Sequence, residues 1–380
     1  MRKFSTVLLT AAVLAVGLTG CLKSTTAETT AAETEASEAA ESEASAESEA
    51  SSEAADSSSE YEVNEAAAAE PAITLTMAEL NPLDGTIVGA VDLKFKEAVE
   101  AMSGGSITVD LQASGVLGAE ADIIDGMMGG TGTVDLMRIG SNSLNNYKCT
   151  KSVLLTLPYT FDSREHFYNF ADSEVAADFL NEPQEVGIGI RGLFYGEEGT
   201  RNFFTVEDKP IETPEDMVGL KIRSSADPVM SGMIANLGAT PSPVSFSEVY
   251  PSMQNGTIDG AEQPVANYKS NSFQEVGPNL TLDEHTLGVF EVIITDVAYN
   301  DKLGENQRQV IDAASKICSE YCKEISGEKE AEVIEELKAE GINVIEISDK
   351  SAWREACTPI VEEYTQGELG DLYQQILDLK

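Results

Sequence analysis

The stretch ITLTMAELNPLDGTIVGAVDLKFKEAVEAMSGGSITVDL, residues 73–111, decides the fold class of this chain. Apolar residues alternate over residues 73–77, which predicts a strand, and they recur at helical spacing over residues 88–102. Gly104-Gly105 ends the predicted helix, and residues 107–111 predict a second strand. A strand, a helix and a strand in this order are typical of α/β folds with parallel strands.

The same alternation continues through the rest of the chain. A helix over residues 119–128 and a strand over 134–139 complete the first series, and a second series begins with a strand near 187–195. Leu220-Lys-Ile-Arg223 predicts a further strand with Arg223 at its carboxyl end. Because open α/β sheets bind ligands beyond the carboxyl ends of their strands, Arg223 is a candidate binding residue.

Residues 305–340 predict one long helix. At about 1.5 Å per residue it would be roughly 50 Å long, which exceeds one small domain. Shorter helices are predicted from the cap Ser247 through Gln254 and over residues 351–377. Residues 71–380 also exceed the size of one typical hydrophobic core. We therefore predict an α/β fold of two domains, with a long helix that spans both.

The chain is strongly acidic and contains few arginines. Its formal net charge is -42, which argues against nucleic acid as a partner, because phosphate binding needs clustered lysines and arginines. After residue 70 the arginines are Arg138, Arg164, Arg191, Arg201, Arg223, Arg308 and Arg354. Because arginine is scarce, each of them is a candidate for a specific role.

The amino terminus has the order of a secretory signal peptide over residues 1–20. Arg2 and Lys3 precede an apolar run that is too short to span a bilayer, which needs roughly 20 apolar residues. Leu18-Thr-Gly-Cys21 resembles the lipobox of bacterial lipoproteins, which implies cleavage before Cys21 and lipid on this cysteine. The protein would then be anchored to the outer face of the cytoplasmic membrane. The alternative is an ordinary secreted protein with a cysteine at this position by chance.

Residues 21–70 predict a disordered acidic tether. From residue 24 to residue 70 the chain holds fourteen acidic residues and no lysine or arginine. Its apolar surface is too small to offset the entropy cost of ordering the chain, and its like charges repel one another. We therefore expect the folded body to begin at residue 71.

Cysteine and histidine are too sparse to indicate a metal site. The spacing of Cys149, Cys318, Cys322 and Cys357 fits neither a disulfide framework nor a CxxC metal site, so we expect buried apolar positions. Two histidines give little support to a zinc centre or a histidine-based nucleophile. No nucleophile elbow or phosphate-binding loop is found in the sequence. We predict no metal, no cofactor and no enzyme activity; a secreted hydrolase with paired carboxylates is the alternative.

Several motifs carry a resemblance to a known family. They are Gly115-Val-Leu-Gly118, Leu157-Pro-Tyr-Thr-Phe161, Gly199-Thr-Arg201, Gly219-Leu-Lys-Ile-Arg223, Leu237-Gly-Ala-Thr-Pro-Ser-Pro-Val-Ser-Phe-Ser-Glu-Val-Tyr250 and Asn255-Gly-Thr-Ile-Asp-Gly-Ala-Glu-Gln-Pro264. In order and spacing they resemble the extracytoplasmic solute-binding proteins of TRAP transporters, the DctP family. The resemblance covers residues 71 to about 370.

The resemblance implies a fold like that of periplasmic binding proteins, in which two lobes close on a small organic anion. Lobe I would comprise residues 71–198 and about 288–325. Lobe II would comprise residues 199–287 and about 326–380, with the spanning and carboxyl-terminal helices. A separately encoded membrane permease would receive the ligand.

The resemblance assigns the principal ligand contact to Arg223, which matches the family arginine that forms a paired salt bridge with the ligand carboxylate. A guanidinium suits this role because its planar fork of donors matches both carboxylate oxygens. The alternative is a strand-end arginine paired with an acid such as Glu215. Arg201 matches a second family arginine that reaches the ligand, and its alternative role is an interdomain ion pair.

Other candidate residues come from both lobes. Phe246 matches an aromatic residue that packs against the ligand, and its alternative is a core position. Gln263 lies where the family usually carries an asparagine or a variable residue, and Ser224-Ser225 replaces the usual apolar residue and its neighbour. For Arg138 a solvent-facing side chain is the alternative. From the first lobe we expect the cleft to be faced by Glu79, Asn81, Arg138, Ser141 and Asn142.

These residues predict a receptor for an organic acid and leave the identity of the acid open. We favour a sugar acid such as a uronate, because hydrogen-bonding residues accompany the arginines. C4-dicarboxylates and simple keto or hydroxy acids are the alternatives. A surface sensor or adhesion module with the same tether is the alternative function.

Overall fold

The described residues of this computed structural model, 61–130, 133–225 and 227–380, contain one mixed sheet of nine strands. The strands are β1 (Ile73–Ala78), β2 (Ile107–Gln112), β3 (Leu136–Gly140), β4 (Ile190–Thr205), β5 (Lys221–Ser224), β6 (Thr240–Pro243), β7 (Gly260–Pro264), β8 (Asn279–Thr295) and β9 (Asn343–Glu346). Their order across the sheet is β2-β1-β3-β8-β4-β7-β5-β6, and β9 pairs with β8.

Twelve α-helices are found among the described residues, before, between and after the strands of the sheet. They are α1 (Glu65–Ala68), α2 (Ile87–Met102), α3 (Glu120–Met128), α4 (Val153–Thr156), α5 (Arg164–Ala171), α6 (Glu174–Glu185), α7 (Pro228–Asn236), α8 (Val249–Gln254), α9 (Val265–Ser270), α10 (Glu305–Glu340), α11 (Ser351–Tyr364) and α12 (Glu368–Leu377). Short 3-10 helices cover Ser141–Tyr147, Pro214–Met217, Phe246–Glu248 and Phe273–Glu275, and a π-helix covers Val297–Lys302.

The predicted helix start at Ser247 is wrong. Residues Phe246–Glu248 form a 3-10 turn, and α8 begins only at Val249. Pro251 then lies in the first turn of α8, where its missing N–H would have no intrahelical partner. The proline therefore fits the later start.

The long strands β4 and β8 connect the two halves of the sheet. They run antiparallel, with Ile190 opposite Thr295 at one end and Thr205 opposite Asn279 at the other. β8 also pairs with β3 near the first end, and β4 pairs with β7 near the second end. One half of the sheet therefore contains the parallel strands β1, β2 and β3, and the other contains the parallel strands β5, β6 and β7.

The prediction of parallel strands is confirmed within each half and wrong for β4 and β8. The sequence analysis did not identify β8, because Asp283 and His285 interrupt its apolar pattern. Both side chains are buried, and they share a hydrogen bond of 2.7 Å between Nδ1 of His285 and Oδ2 of Asp283. Mutual pairing makes these polar groups compatible with a buried strand.

Helix α10 spans both halves of the fold, as the sequence predicts. Its amino-terminal part contributes Val310 and Cys318 to the hydrophobic core around α2, β1 and β2. Its carboxyl-terminal part contributes Val333 and Leu337 to a separate core around Phe204. The helix has 36 residues and extends roughly 54 Å at about 1.5 Å per residue. One rigid element therefore joins the two cores.

Folded structure is already present between Tyr61 and Glu70, before the expected boundary at residue 71. Asn64 caps α1 by accepting hydrogen bonds from the N–H groups of Ala66 and Ala67 at 3.1 Å, and Ala67 is fully buried. Glu70 accepts hydrogen bonds from backbone N–H groups at the start of α10. Composition misplaces the boundary because contacts with distant parts of the chain stabilise this segment.

We predict that Asn64→Ala lowers the free energy of unfolding by about 1 kcal/mol, because two N–H groups at the start of α1 lose their acceptor. Urea denaturation measures this change. Glu62→Ala, at an exposed neighbouring position, is the control and should stay within about 0.5 kcal/mol of the wild type. Equal stability of the two variants would contradict the docking of α1.

The predicted signal peptide, Cys21 and the tether as far as residue 60 lie outside the described residues. Among the helices that the structure does describe, none is long and apolar enough to cross a membrane. The cysteines Cys149, Cys318, Cys322 and Cys357 are buried and free. Their prediction as buried apolar positions is confirmed.

Glu291 of β8 is a buried carboxyl group whose Oε1 atom has no hydrogen-bond partner among the described residues. Burial, together with the neighbouring carboxylate of Glu182, raises the pKa of Glu291 to about 8. The folded state therefore binds an additional proton between the ordinary pKa of glutamate and about pH 8. Glu291 therefore makes the free energy of unfolding fall as the pH rises through this window.

We predict that Glu291→Gln removes this contribution, because the amide has nearly the same shape and does not ionise. One additional proton in the folded state corresponds to a slope of about 1.4 kcal/mol per pH unit. The variant should therefore lose less stability than the wild type between about pH 5 and pH 8 in urea denaturation. Identical pH profiles of the two proteins would contradict this assignment.

Candidate functional site

The carboxyl ends of parallel strands from both halves of the sheet lie at one cleft. Asn81 follows β1, Arg138 lies on β3, Arg223 lies near the end of β5, and Gln263 lies near the end of β7. The cleft has two parts: the larger, about 630 Å³ and lined by Tyr250 and Phe273, is called the outer part, and the smaller, about 70 Å³ and lined by Arg201 and Gln263, is called the inner part. This is the position at which open α/β sheets bind ligands.

The inner part is polar and brings most of the predicted residues together. Those that line it are Asn81, Arg138, Asn142, Arg201, Arg223, Phe246 and Gln263. Glu79 does not line it, because this side chain is buried behind Arg138. Ser141 is also buried, and within the described ranges its hydroxyl has no hydrogen-bond partner.

Arg223 is a buried cation that has no carboxylate partner in the part of the chain that the structure describes. Only 5% of its surface is exposed, and its Nε atom donates a hydrogen bond of 2.9 Å to the carbonyl of Val244. Burial lowers the pKa of Arg223 to about 10; Glu262 opposes the shift and Arg201 adds to it. The guanidinium stays charged at neutral pH. Within the described residues no ion pair includes Arg223, so the alternative pairing with Glu215 is wrong.

Arg201 forms a buried ion pair with Glu262 between the neighbouring strands β4 and β7. Its Nε and Nη2 atoms donate to the two carboxylate oxygens at 2.5 and 2.8 Å. The Nε2 atom of His285 lies 3.6 Å from the Glu262 carboxylate. On the other side of the ring, Nδ1 of His285 lies 2.7 Å from Oδ2 of Asp283. Burial opposes every charge in this group. Even so, Arg201 and His285 lower the pKa of Glu262 to about 2, and Asp283 and Glu262 raise the pKa of His285 to about 9.

Arg138 is buried and paired, so the solvent-facing alternative is wrong. Its Nε and Nη2 atoms donate to the two carboxylate oxygens of Glu79, the first at 2.7 Å, and Glu198 lies 3.8 Å from Nη1. Burial opposes the charge of Arg138, but Glu79 and Glu198 raise its pKa. Glu79 also accepts hydrogen bonds from the backbone N–H and Nδ2 of Asn81 at 2.6 and 2.9 Å. Arg138 therefore contributes a neutralised pair to the floor of the cleft.

The remaining predicted residues supply an aromatic face and hydrogen-bonding groups. Phe246 is half-buried and lines both parts of the cleft. Gln263 is buried in the inner part. Asn142 donates from Nδ2 to the hydroxyl of Ser225 at 3.2 Å, so the serine pair noted in the sequence contributes a polar group to the cleft.

Sequence reasoning missed four polar residues of the inner part, which are Glu120, Ser143, Glu198 and Asn267. Glu120 lines both parts of the cleft, accepts a hydrogen bond of 2.9 Å from Ser143, and has its pKa raised by burial. Glu198 accepts a hydrogen bond of 2.9 Å from Nδ2 of Asn267. Glu120 follows the Gly115–Gly118 motif, and Glu198 precedes the Gly199-Thr-Arg201 motif. Extending each motif by one or two residues would have found both acids.

The chemistry of the cleft is that of binding an anion with polar substituents. Arg138 and Arg201 are each paired with a carboxylate, whereas Arg223 forms no ion pair with any residue that the structure describes, so its charge can be satisfied by water or a ligand. The family model of bacterial extracellular solute-binding proteins, family 7 (DctP), matches residues 77–367. This chain belongs to that family. DctP proteins are the solute-binding proteins of TRAP transporters, and the resemblance seen in the motifs is confirmed.

Individual relatives agree with the family in fold and in kind of function. A solute-binding protein of Roseobacter denitrificans is 32% identical over 269 residues, which cover 71% of this chain and 80% of that protein. The 2,3-diketo-L-gulonate-binding periplasmic protein YiaO of Escherichia coli is 29% identical over 69% of this chain and 78% of its own. A TRAP periplasmic solute-binding protein of Bradyrhizobium, solved in complex with galacturonate, has a TM-score of 0.75 and is 28% identical, covering 80% of this chain and 100% of that one. The predicted two-domain binding-protein fold is therefore confirmed.

Proposed function

We propose that this DctP protein binds a sugar acid of the uronate type between its lobes and delivers it to a TRAP membrane permease. The observation that carries the proposal is Arg223, whose guanidinium is buried and charged and has no carboxylate partner among the described residues. A buried charge is costly unless it is paired. A ligand carboxylate supplies the missing partner, and the two Nη atoms can bind both of its oxygens.

The other cleft arginines favour one carboxylate over two. Arg201 is paired with Glu262, and Arg138 is paired with Glu79. A C4-dicarboxylate would bring a second negative charge to a cleft in which these two cations are already neutralised. The hydroxyl groups of a sugar acid instead suit the amides and carboxylates that line the inner part.

Two relatives support the same ligand class. The Bradyrhizobium protein is in complex with galacturonate, and the Escherichia coli protein is described as binding 2,3-diketo-L-gulonate. Both ligands are acids with several further oxygen atoms. A cleft with one unmatched guanidinium and many hydrogen-bonding side chains fits such a ligand.

Closure of the lobes is the mechanism that we propose for capture. Lobe I would comprise residues 71–198 and about 288–325, together with the docked segment from Tyr61, and lobe II residues 199–287 and about 326–380. Ligand contacts shift the balance towards the closed form only if they are stronger there than in the open form. The cleft supplies candidate contacts from both lobes, so a bound sugar acid would stabilise closure.

We also propose that Cys21 carries lipid and that the acidic tract behind it separates the folded body from the membrane. The lipobox-like Leu18-Thr-Gly-Cys21 supports this proposal. Labelling with a lipid precursor in a bacterial host should tag the wild type. Cys21→Ser should remain unlabelled and should not be retained at the membrane.

Binding of D-galacturonate and D-glucuronate, compared with D-galactose and D-glucose, tests the proposed function. Calorimetric titration should show saturable binding of at least one uronate and none of the neutral sugars, because only the uronates carry a partner for Arg223. The ligand should be recovered chemically unchanged, as expected for a receptor. Binding of the neutral sugars with equal affinity, or conversion of the ligand, would overturn the proposal.

A further inference from the structure

The outer part of the cleft differs from the inner part in size and lining. Its volume is about 630 Å³, against about 70 Å³ for the polar inner part. Cavities of about 300–1,000 Å³ hold ligands of the size of drugs, which are larger than one monosaccharide. The cleft as a whole therefore has room for a ligand larger than one monosaccharide.

One wall of the outer part consists of aromatic side chains held in fixed positions. The ring of Phe246 lies 5.8 Å from that of Phe273 in an edge-to-face contact, and Phe273 stacks on Phe204 at 5.4 Å. Tyr250 contributes a third ring to this wall, and its hydroxyl donates to Glu275 at 2.8 Å. Aromatic faces of this kind pack against the apolar C–H faces of sugar rings.

The other surfaces of the outer part combine small residues with polar groups. Gly115, Gly118, Ala119 and Ala121 contribute no side chain beyond a methyl group and leave the space open. Hydroxyl and amide groups capable of binding sugar hydroxyls are supplied by Ser114, Ser245, Ser247 and Asn271. Aromatic faces beside such polar groups are the chemistry of a sugar subsite.

The two parts of the cleft are continuous. Both are lined by Arg223, Glu120, Ser225 and Phe246. We propose that the outer part is a second sugar subsite, so that the preferred ligand is a short saccharide with a uronate at Arg223 and a glycosidically linked second ring against Phe246 and Tyr250. This inference rests on the proposed function, because Arg223 fixes the position of the uronate.

Calorimetric titration with D-galacturonate and with an aldobiouronate, a disaccharide of galacturonate and one neutral hexose, tests the inference. The aldobiouronate should bind the wild type about tenfold more tightly, because its neutral second ring gains the aromatic contacts. Tyr250→Ala should remove most of this advantage and leave the Kd of galacturonate unchanged. Tyr250→Phe, the matched control, keeps the ring and should keep the advantage.

A variant on the opposite wall gives an independent result. Ala119→Trp places a large side chain in the outer part and should weaken the binding of the aldobiouronate without changing that of galacturonate. Thermal unfolding of each variant confirms that it folds. If the aldobiouronate binds no more tightly than galacturonate, or if its advantage survives in both Tyr250→Ala and Ala119→Trp, the second subsite is refuted. If galacturonate itself does not bind, the proposed function fails instead.

Discussion

Arg223→Ala should raise the Kd for a bound uronate by about 100-fold or more, because the ligand carboxylate loses a charge-assisted, paired interaction in a desolvated site. The ligand-free variant should remain folded, since the substitution removes a buried charge that has no carboxylate partner among the described residues. Arg223→Lys keeps the charge and loses the planar fork, so it should bind at least about tenfold more weakly than the wild type. Calorimetric titration with D-galacturonate and D-glucuronate measures both effects.

Arg354→Ala is the matched control for Arg223→Ala. The side chain of Arg354 is 46% exposed, and its nearest carboxylate is that of Asp162 at 3.6 Å. Its removal deletes the same chemical group from a surface position and should leave the uronate Kd unchanged. If Arg223→Ala also binds like the wild type, the carboxylate is not held by Arg223.

Glu262→Gln should lower the free energy of unfolding by about 3 kcal/mol or more. The substitution leaves Arg201 without its paired carboxylate and takes one acid away from the buried His285. Breaking a buried ion pair by removing one partner is strongly destabilising, because the remaining charge stays desolvated. Urea denaturation at about pH 6 measures the change.

The pH dependence of the same variant provides a second test. The pKa of Glu262 is lowered to about 2, so its contribution is present above the ordinary glutamate pKa and is lost as the pH falls towards 2. The pKa of His285 is raised to about 9, so its contribution is present below the ordinary histidine pKa and is lost as the pH rises through 9. In Glu262→Gln the loss of unfolding free energy that Glu262 causes at acid pH should disappear. The loss that His285 causes at alkaline pH should become smaller, because this histidine has one acidic neighbour fewer.

Glu346→Gln is the control for the loss of a paired carboxylate. Glu346 pairs with Lys338 at 2.7 Å on the surface, where solvent screens the interaction. This variant should be nearly as stable as the wild type. Equal stability of Glu262→Gln and Glu346→Gln would show that the buried group contributes no more than a surface pair.

Local patterns predicted the elements whose apolar residues are regularly spaced. The first strand-helix-strand unit and α10 have clear periodicity, and both are present with bounds close to those expected. β8 was missed because buried Asp283 and His285 break its pattern, and their pairing becomes visible only when the strands are assembled. The segment from Tyr61 was missed because its stability depends on α2 and α10, which lie far away in the sequence.

The candidate site was predictable in its residues and less so in its charge balance. The motifs identified Arg223, Arg201 and Gln263, and the structure brings them to the same cleft as Arg138 and Asn81. Which arginine is unmatched could not be derived from the sequence. Glu79 and Glu262 neutralise their partners through contacts between strands, and one chain gives no signal for such pairings.

A crystal structure with bound D-galacturonate is the most direct test of the central claim. Both carboxylate oxygens should lie within hydrogen-bonding distance of the Nη atoms of Arg223, inside the cleft. A ligand bound in the cleft with its carboxylate directed away from Arg223 would contradict the account.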